Sequence, residues 1–340
     1  MDAMTPVSLT DISSYLPGEP IGADFYAQFA ATDELRESVM FRAPRWRHHV
    51  GPDESAIDMI ERATAGLIER HGRDVLTGVD VLITHTQMPD VPFYGAGAGV
   101  AHRLGMRPRW VLDLHNGGCA VFVLALKLAR QLLTSGEGRT ALIAIAQNAA
   151  GQVFDQPSVR SRAQAAVPGD GAAVGLVTLS DESPILDVEC RSYGEYAGEM
   201  TITSDPPRKW WQAGPGEACI AFTEAKITKV LARGNRLVPE VALAVCDRIG
   251  VKPNDIDLLV TNQPNRVFLR NWREALELPP QRHRDTFDEC GNLFGAAIPI
   301  NMERAISEGQ VAPGDVIMMA GFAHAGDFAG AAAVRWGGRR

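Results

Sequence analysis

A single thiol in the stretch Trp110-Val-Leu-Asp-Leu-His-Asn-Gly-Gly-Cys119 stands where chemistry would be expected. Val111, Leu112 and Leu114 read as a buried strand, Gly117-Gly118 as a tight turn, and Ala120 to about Leu133 as an apolar-periodic helix. A cysteine in the first helical turn faces unpaired N–H groups and the positive end of the helix dipole, which favours the thiolate. Two glycines permit the turn that lifts the sulfur out of the sheet. The chemistry would be nucleophilic, with a covalent intermediate on sulfur. A buried structural cysteine is the other reading of the same residues, and local sequence leaves both open.

The elements that must hold this turn come in two matched series. A helix is expected over about Glu54 to His71, with Ile57, Met59, Ile60, Ala63 and Leu67 at helical spacing, followed by the strand Asp80-Val-Leu-Ile-Thr84. A Pro-containing loop, a Gly/Ala-rich helix to about Leu104, the Cys119 unit and the strand Thr140 to Ala146 follow, and Gly169 to Val177 turns into one more strand. In the second half, a helical stretch from Ala221 to Ile249, expected to divide near Gly234, leads into Asp257-Leu-Leu-Val-Thr-Asn262. That segment matches Asp80-Val-Leu-Ile-Thr-His85. Asp285 to Asp288 is expected as an approach strand, Glu289 to Asn292 as a turn, Ala296 to Glu308 as a helix and Asp315 to Met319 as a closing strand. From Asp80 to Thr140 is 60 residues, and from Asp257 to Asp315 is 58. The repeat predicts a duplicated α/β fold with each sheet buried between helices, and it makes the turns at Cys119 and Asn292 pseudo-equivalent. Their meeting place between the halves is the expected cleft.

Composition narrows the function classes. The 340 residues are 46% hydrophobic and 22% charged, with a net charge of −8 and no basic block, which argues against nucleic-acid binding. Five cysteines without paired short spacing suit a reducing cytoplasm, and His283, Asp285 and Cys290 do not make metal-ligand spacing, so no metal is expected. No secretory pattern begins the chain, and no apolar run approaches the roughly 18 residues of a membrane span. Gly95-Ala-Gly-Ala-Gly99 follows no clean strand, so helix packing is preferred there to a dinucleotide loop.

The Cys119 turn resembles the thiolase superfamily, and within it the β-ketoacyl-acyl-carrier-protein synthase III branch, in company with Tyr15-Leu-Pro, Gly169-Asp-Gly-Ala-Ala, Cys290-Gly-Asn292 and a closing segment ending Val334-Arg-Trp336. The resemblance implies a thiolase-like α/β fold of two pseudo-equivalent halves in α-β-α-β-α layers. Residues 1–180 would carry the nucleophile, and 181–340 would carry Asn262, Asn292 and the closing loop. It also implies a Cys-His-Asn triad, with Cys119 and Asn292 in place. The family's His-Gln-Ala-Asn motif is here Asn262-Gln263-Pro264-Asn265, and no histidine lies between His115 and His283. An asparagine can hydrogen-bond a carbonyl but cannot shuttle a proton.

The family's glycine-rich closing loop reads Gly321-Phe-Ala-His324-Ala-Gly-Asp327, which makes His324 the candidate base and Asp327 the group that orients it. The expected activity is that of a synthase III-like acyltransferase of natural-product tailoring. An acyl- or malonyl-type group would pass from coenzyme A or an acyl carrier protein to Cys119, then to a hydroxyl or amine of a small polyketide or sugar acceptor. No permanent cofactor is implied, the donor thioester being a co-substrate. Decarboxylative condensation with an altered triad is the alternative, and a non-catalytic partner subunit a third. Phe93 corresponds to the family's aromatic residue that crosses a homodimer interface. Arg160 and Arg162, with Arg45 and Arg47, are candidate phosphate partners. Trp210, beside Trp211 in the insertion Ser204 to Pro215, is a candidate wall for the acceptor.

Overall fold

The computed structural model describes residues 5–29, 41–91, 94–209, 211–212, 214, 219–221 and 224–339. Two five-stranded sheets organise it. The first contains β1 (Val7–Tyr15), β2 (Val81–Thr86), β3 (Trp110–Asp113), β4 (Thr140–Gln147) and β5 (Gly171–Leu179) in the order β1-β5-β4-β2-β3. The second contains β6 (Ile185–Ser192), β7 (Leu258–Thr261), β8 (His283–Arg284), β9 (Val316–Ala323) and β10 (Phe328–Arg335) in the order β6-β10-β9-β7-β8. In each sheet the three strands ending at β3 or β8 are parallel, and the two at the opposite side run antiparallel. The two halves therefore share one topology, as the matched spacing requires.

Helices fill the layers because the strands are apolar on both faces. Between the sheets lie α3 (Val121–Thr134) and α6 (Ala297–Ser307). They pack on Val81, Ile83, Ile143 and Ile145 of one sheet and on Leu258, Val260, Ile317 and Met319 of the other. The outer face of the first sheet is covered by α1 (Ala56–His71) and α2 (Gly97–Leu104), that of the second by α4 (Glu224–Ile249) and α5 (Arg266–Ala275). The result is the α-β-α-β-α layering of the thiolase-like fold.

Local chemistry explains the element ends. Ser55 and Asp58 form a reciprocal capping box that starts α1. The Asp113 carboxylate accepts the Gly97 N–H at 2.8 Å, and a side chain at Gly97 or Gly99 would collide with Val111 or Ile57. The Gly-Ala-Gly run is thus a packing device. Two expectations are corrected. Helix α4 continues unbroken through Gly234, because that glycine admits Phe268 and Phe322 against the helix while its carbonyl accepts from Trp272 Nε1 at 2.8 Å. The approach strand of the second half is displaced to His283–Arg284, and Phe287–Cys290 is a helical turn stabilised by bonds back to Thr286 and Phe287.

Candidate active site

Strand β3 leads through Gly117 (φ 93°) and Gly118 (φ 41°) into a short 3-10 turn, Gly118–Ala120, that carries Cys119 onto α3. Both glycines sit in the left-handed region, and both have neighbours where a Cβ would stand. At Gly117 these are Val121 and Leu124; at Gly118, His324 Nε2 would be 3.0 Å away. The turn brings Cys119 to a cavity of about 140 Å³ that His324, Asn262 and Asn292 also line. Its remaining walls are mainly apolar, with Phe154, Val167, Met200, Val230, Phe268, Phe294 and Phe322 among them.

His324 occupies the turn between β9 and β10 with φ 49°, an unusual backbone state for a side chain other than glycine. Its Nδ1 lies 2.9 and 3.0 Å from the two Asp327 carboxylate oxygens. With Nδ1–H donated to Asp327, the Nε2 lone pair is turned to the Gly118–Cys119 turn. The Cys119 sulfur keeps some access through the cavity, yet burial pushes its thiol up to about 12. The His324 backbone N–H, aimed at the sulfur, pulls the other way, and the Asp327 charge reinforces burial. The expected thiolate at the helix start is therefore corrected: burial outweighs the dipole, and the resting group is a neutral thiol that needs a base.

Asn262 is fully buried, and its amide is engaged at both ends. Nδ2 donates to the Phe322 carbonyl at 3.3 Å and Oδ1 accepts the Phe322 N–H at 3.4 Å. These bonds prolong the β7–β9 pairing by one residue and brace the closing loop. Asn292 is held by its own N–H to Val167 O at 2.8 Å, and its Oδ1 accepts from the Phe294 N–H at 3.0 Å. Its NH2 is the group it can offer to the cavity. Behind that turn, Gln263 donates to Gly291 O at 2.5 Å and accepts from Thr286 and Asn301, a buried amide cluster that fixes where Asn292 stands.

A second, outer cavity of about 810 Å³ shares Phe41 with the first. Arg160, Arg162 and Arg45, candidate phosphate partners from the sequence, line it together with Arg42 and Arg266. Arg42 belongs to a segment conspicuous for Arg, His and Trp, whereas nothing in local sequence marks Arg266. Arg47 does not belong to this group. It is buried, stacked 3.9 Å over the Tyr26 ring and bonded to the Ala166 carbonyl, and burial lowers its pKa to about 10. His115, just beyond β3, is exposed. Phe93 and Trp210 lie outside the described residues. Among the described residues, no three His, Cys, Asp or Glu side chains are grouped to hold a metal ion, and no helix is long and apolar enough to cross a membrane.

Comparison with known proteins decides the lineage. The family model for 3-oxoacyl-[acyl-carrier-protein (ACP)] synthase III matches residues 112–194, and the model for its C-terminal part matches 246–336. A β-ketoacyl-[acyl-carrier-protein] synthase III from Thermosynechococcus vestitus is 30% identical over 85% of this chain and 86% of its own length. The chain belongs to the synthase III family. The Gloeobacter violaceus synthase III is 27% identical over 98% of this chain and 99% of its own. The crystal structure of the Thermus thermophilus synthase III superposes with a TM-score of 0.84 at 26% identity, covering 97% of this chain and 99% of that one. An OleA variant from Xanthomonas campestris shares the fold at 18% identity and a TM-score of 0.81, over 98% and 99% of the two chains. Within this family the chain carries Asn262 in place of the expected histidine and a His324–Asp327 pair on its closing loop.

Proposed function

We propose that this synthase III family member is an acyltransferase that passes an acyl group from a thioester donor, through Cys119, to a hydroxyl or amine of a small acceptor. One observation carries the reading: the Asp327-anchored imidazole of His324 lies against Gly118, in the turn that bears the neutral, partly accessible Cys119 thiol. His324 Nε2 takes the thiol proton as sulfur attacks the donor carbonyl, and returns it to the departing thiol of coenzyme A or phosphopantetheine. The acceptor then gives its proton to the same nitrogen as its oxygen or nitrogen attacks the acyl-cysteine, and the proton returns to the Cys119 sulfur on release. Asp327 supports the imidazolium that forms in each half-reaction. Backbone N–H groups of Cys119 and the closing loop would hold the oxyanion, with Asn292 and Asn262 bounding the acyl group.

The five arginines of the outer cavity suit the phosphates of coenzyme A or of a carrier protein's phosphopantetheine, and Phe41 joins that cavity to the nucleophile's. The edge strand β3 leaves Trp110 and Val111 each 39% exposed, which fits a homodimer formed across that edge. The names of the relatives support a second reading, decarboxylative condensation. Asn262 stands against it, because it cannot shuttle protons and its amide is already committed to Phe322. Intact-mass analysis after incubation with malonyl-coenzyme A separates the two. Acyl transfer predicts an adduct that keeps its carboxylate; condensation predicts an acetyl adduct; Cys119→Ala should show neither.

A further inference from the structure

The residue that precedes β5, Asp170, is fully buried and gathers backbone from two distant segments. One carboxylate oxygen accepts the Val50 N–H at 2.9 Å and the Gly151 N–H at 2.7 Å, and the other accepts the Ala150 N–H at 2.8 Å. The Asp170 N–H also donates to the His48 carbonyl at 2.9 Å. Burial raises the carboxyl's pKa to about 7, and the three N–H bonds oppose that rise. All three of these partners are donors, so the ionised form is the one they fit. The two segments touch here, because a side chain at Gly151 would strike the Val50 carbonyl.

Each segment leads to arginines of the outer cavity. Val50 follows Arg42 and Arg45 closely in the chain, and Gly151 belongs to the π-helical turn Ala150–Phe154 that runs on towards Arg160 and Arg162. Cross-links tie the same region together: Arg47 bonds to the Ala166 carbonyl, and Tyr26 Oη lies 3.3 Å from His49 Nε2. Tyr26 and Ala166 themselves line the outer cavity. The segment that carries Asp170 is also pinned to Asn292, whose N–H donates to the Val167 carbonyl and whose carbonyl accepts the Gly169 N–H at 3.0 Å. Asp170 itself lines neither cavity. Its carboxylate therefore acts on the outer cavity only through the backbone it holds.

We propose that Asp170 is a positioning residue. By clamping Val50 to Ala150 and Gly151 it sets the spacing between the arginines of residues 42–45 and those of 160–162, and so governs capture of a phosphate-bearing thioester donor. This rests on the donor reading of the outer cavity above. An asparagine keeps the shape of the clamp but not its acceptors. Whichever way its amide is turned, an NH2 group faces at least one of the three N–H groups, and the clamp loosens. Altered spacing weakens the grip on phosphates and leaves Cys119, in the inner cavity, in place.

The test is calorimetric titration of the whole protein at about pH 8, where the carboxyl is ionised, with coenzyme A and with pantetheine, which lacks the phosphates. Wild type should bind coenzyme A more tightly than pantetheine. Asp170→Asn should weaken coenzyme A binding about tenfold or more, while pantetheine affinity and the rate of Cys119 alkylation by iodoacetamide stay within about twofold. Gly151→Ala wedges the same two segments apart and leaves Asp170 intact. It should reproduce the selective loss, and it decides the matter if Asp170→Asn does not fold. Unchanged coenzyme A binding in a folded variant, or an equal loss of both ligands, would overturn the assignment, since a carboxylate that served folding alone would move both alike. Coenzyme A binding no tighter than pantetheine in wild type would instead reject the donor reading of the outer cavity, and the role of Asp170 with it.

Discussion

Two opposed influences meet at the Cys119 sulfur: the start of α3 favours a thiolate, and the apolar cavity wall favours a thiol. Burial wins, with the thiol pushed up to about 12. Because the raised value leaves the thiolate fraction growing with every step of pH below 12, alkylation of Cys119 by iodoacetamide should keep accelerating from pH 7 to 10. A plateau below pH 8 would contradict this. His324→Ala should slow both acylation of Cys119 and transfer to acceptor by about 100-fold or more, as followed by intact mass and product formation. An unchanged turnover would remove His324 from the mechanism. At this scale the cysteine and its glycines were legible in the sequence, because a turn and a helix start are local. The backbone bonds of Asn262 were not, because the fold of the closing loop decides what its side chain meets.

The elements hold the site by close approach and by buried charge. Gly118 lies between the nucleophile and the base, so Gly118→Ala forces both a left-handed alanine and a Cβ 3.0 Å from His324 Nε2. The melting temperature should fall by only a few degrees, about 1 kcal/mol of strain, while acyl transfer falls by at least about tenfold. Asp11 on β1 ties α1 and the chain end to the first sheet, through Arg70 at 2.6 Å, His71 at 2.8 Å and Arg339 at 3.1 Å. Burial raises the Asp11 pKa, but these partners together bring it below the usual carboxylate value. A depressed folded-state pKa gives stability that is present above the unfolded value of about 4 and is lost as pH falls through the folded one. Asp11→Asn should therefore destabilise the fold by about 3 kcal/mol at pH 7, and the gap to wild type in thermal melts should close on acidification towards pH 2. A gap that is independent of pH would show that packing, not charge, is responsible. Periodicity revealed the helices that flank the site. It misplaced the approach strand of the second half, whose two residues are strand only because Leu259 and Val260 pair with them.

Across the whole molecule, duplication makes one architecture serve two unlike turns, one bearing Cys119 and the other Asn292. Nearly equal spacing in the two halves made that topology readable before any contact was known. What spacing could not show is how the closing loop folds back: the turn between β9 and β10 brings His324 and Asp327 together and sets the imidazole against Gly118. Asn262, which the resemblance sets at the family's histidine position, is bound to backbone, and proton transfer is proposed for His324. The fate of an acyl-Cys119 enzyme thus separates acyl transfer from condensation. The most direct measurement is to isolate that species, present it simultaneously with a malonyl thioester and a hydroxyl or amine acceptor, and record carbon dioxide release and product mass together. Acyl transfer through Cys119 predicts an ester or amide product, with no carbon dioxide above the enzyme-free control. Carbon dioxide released in step with a β-ketoacyl product would contradict it.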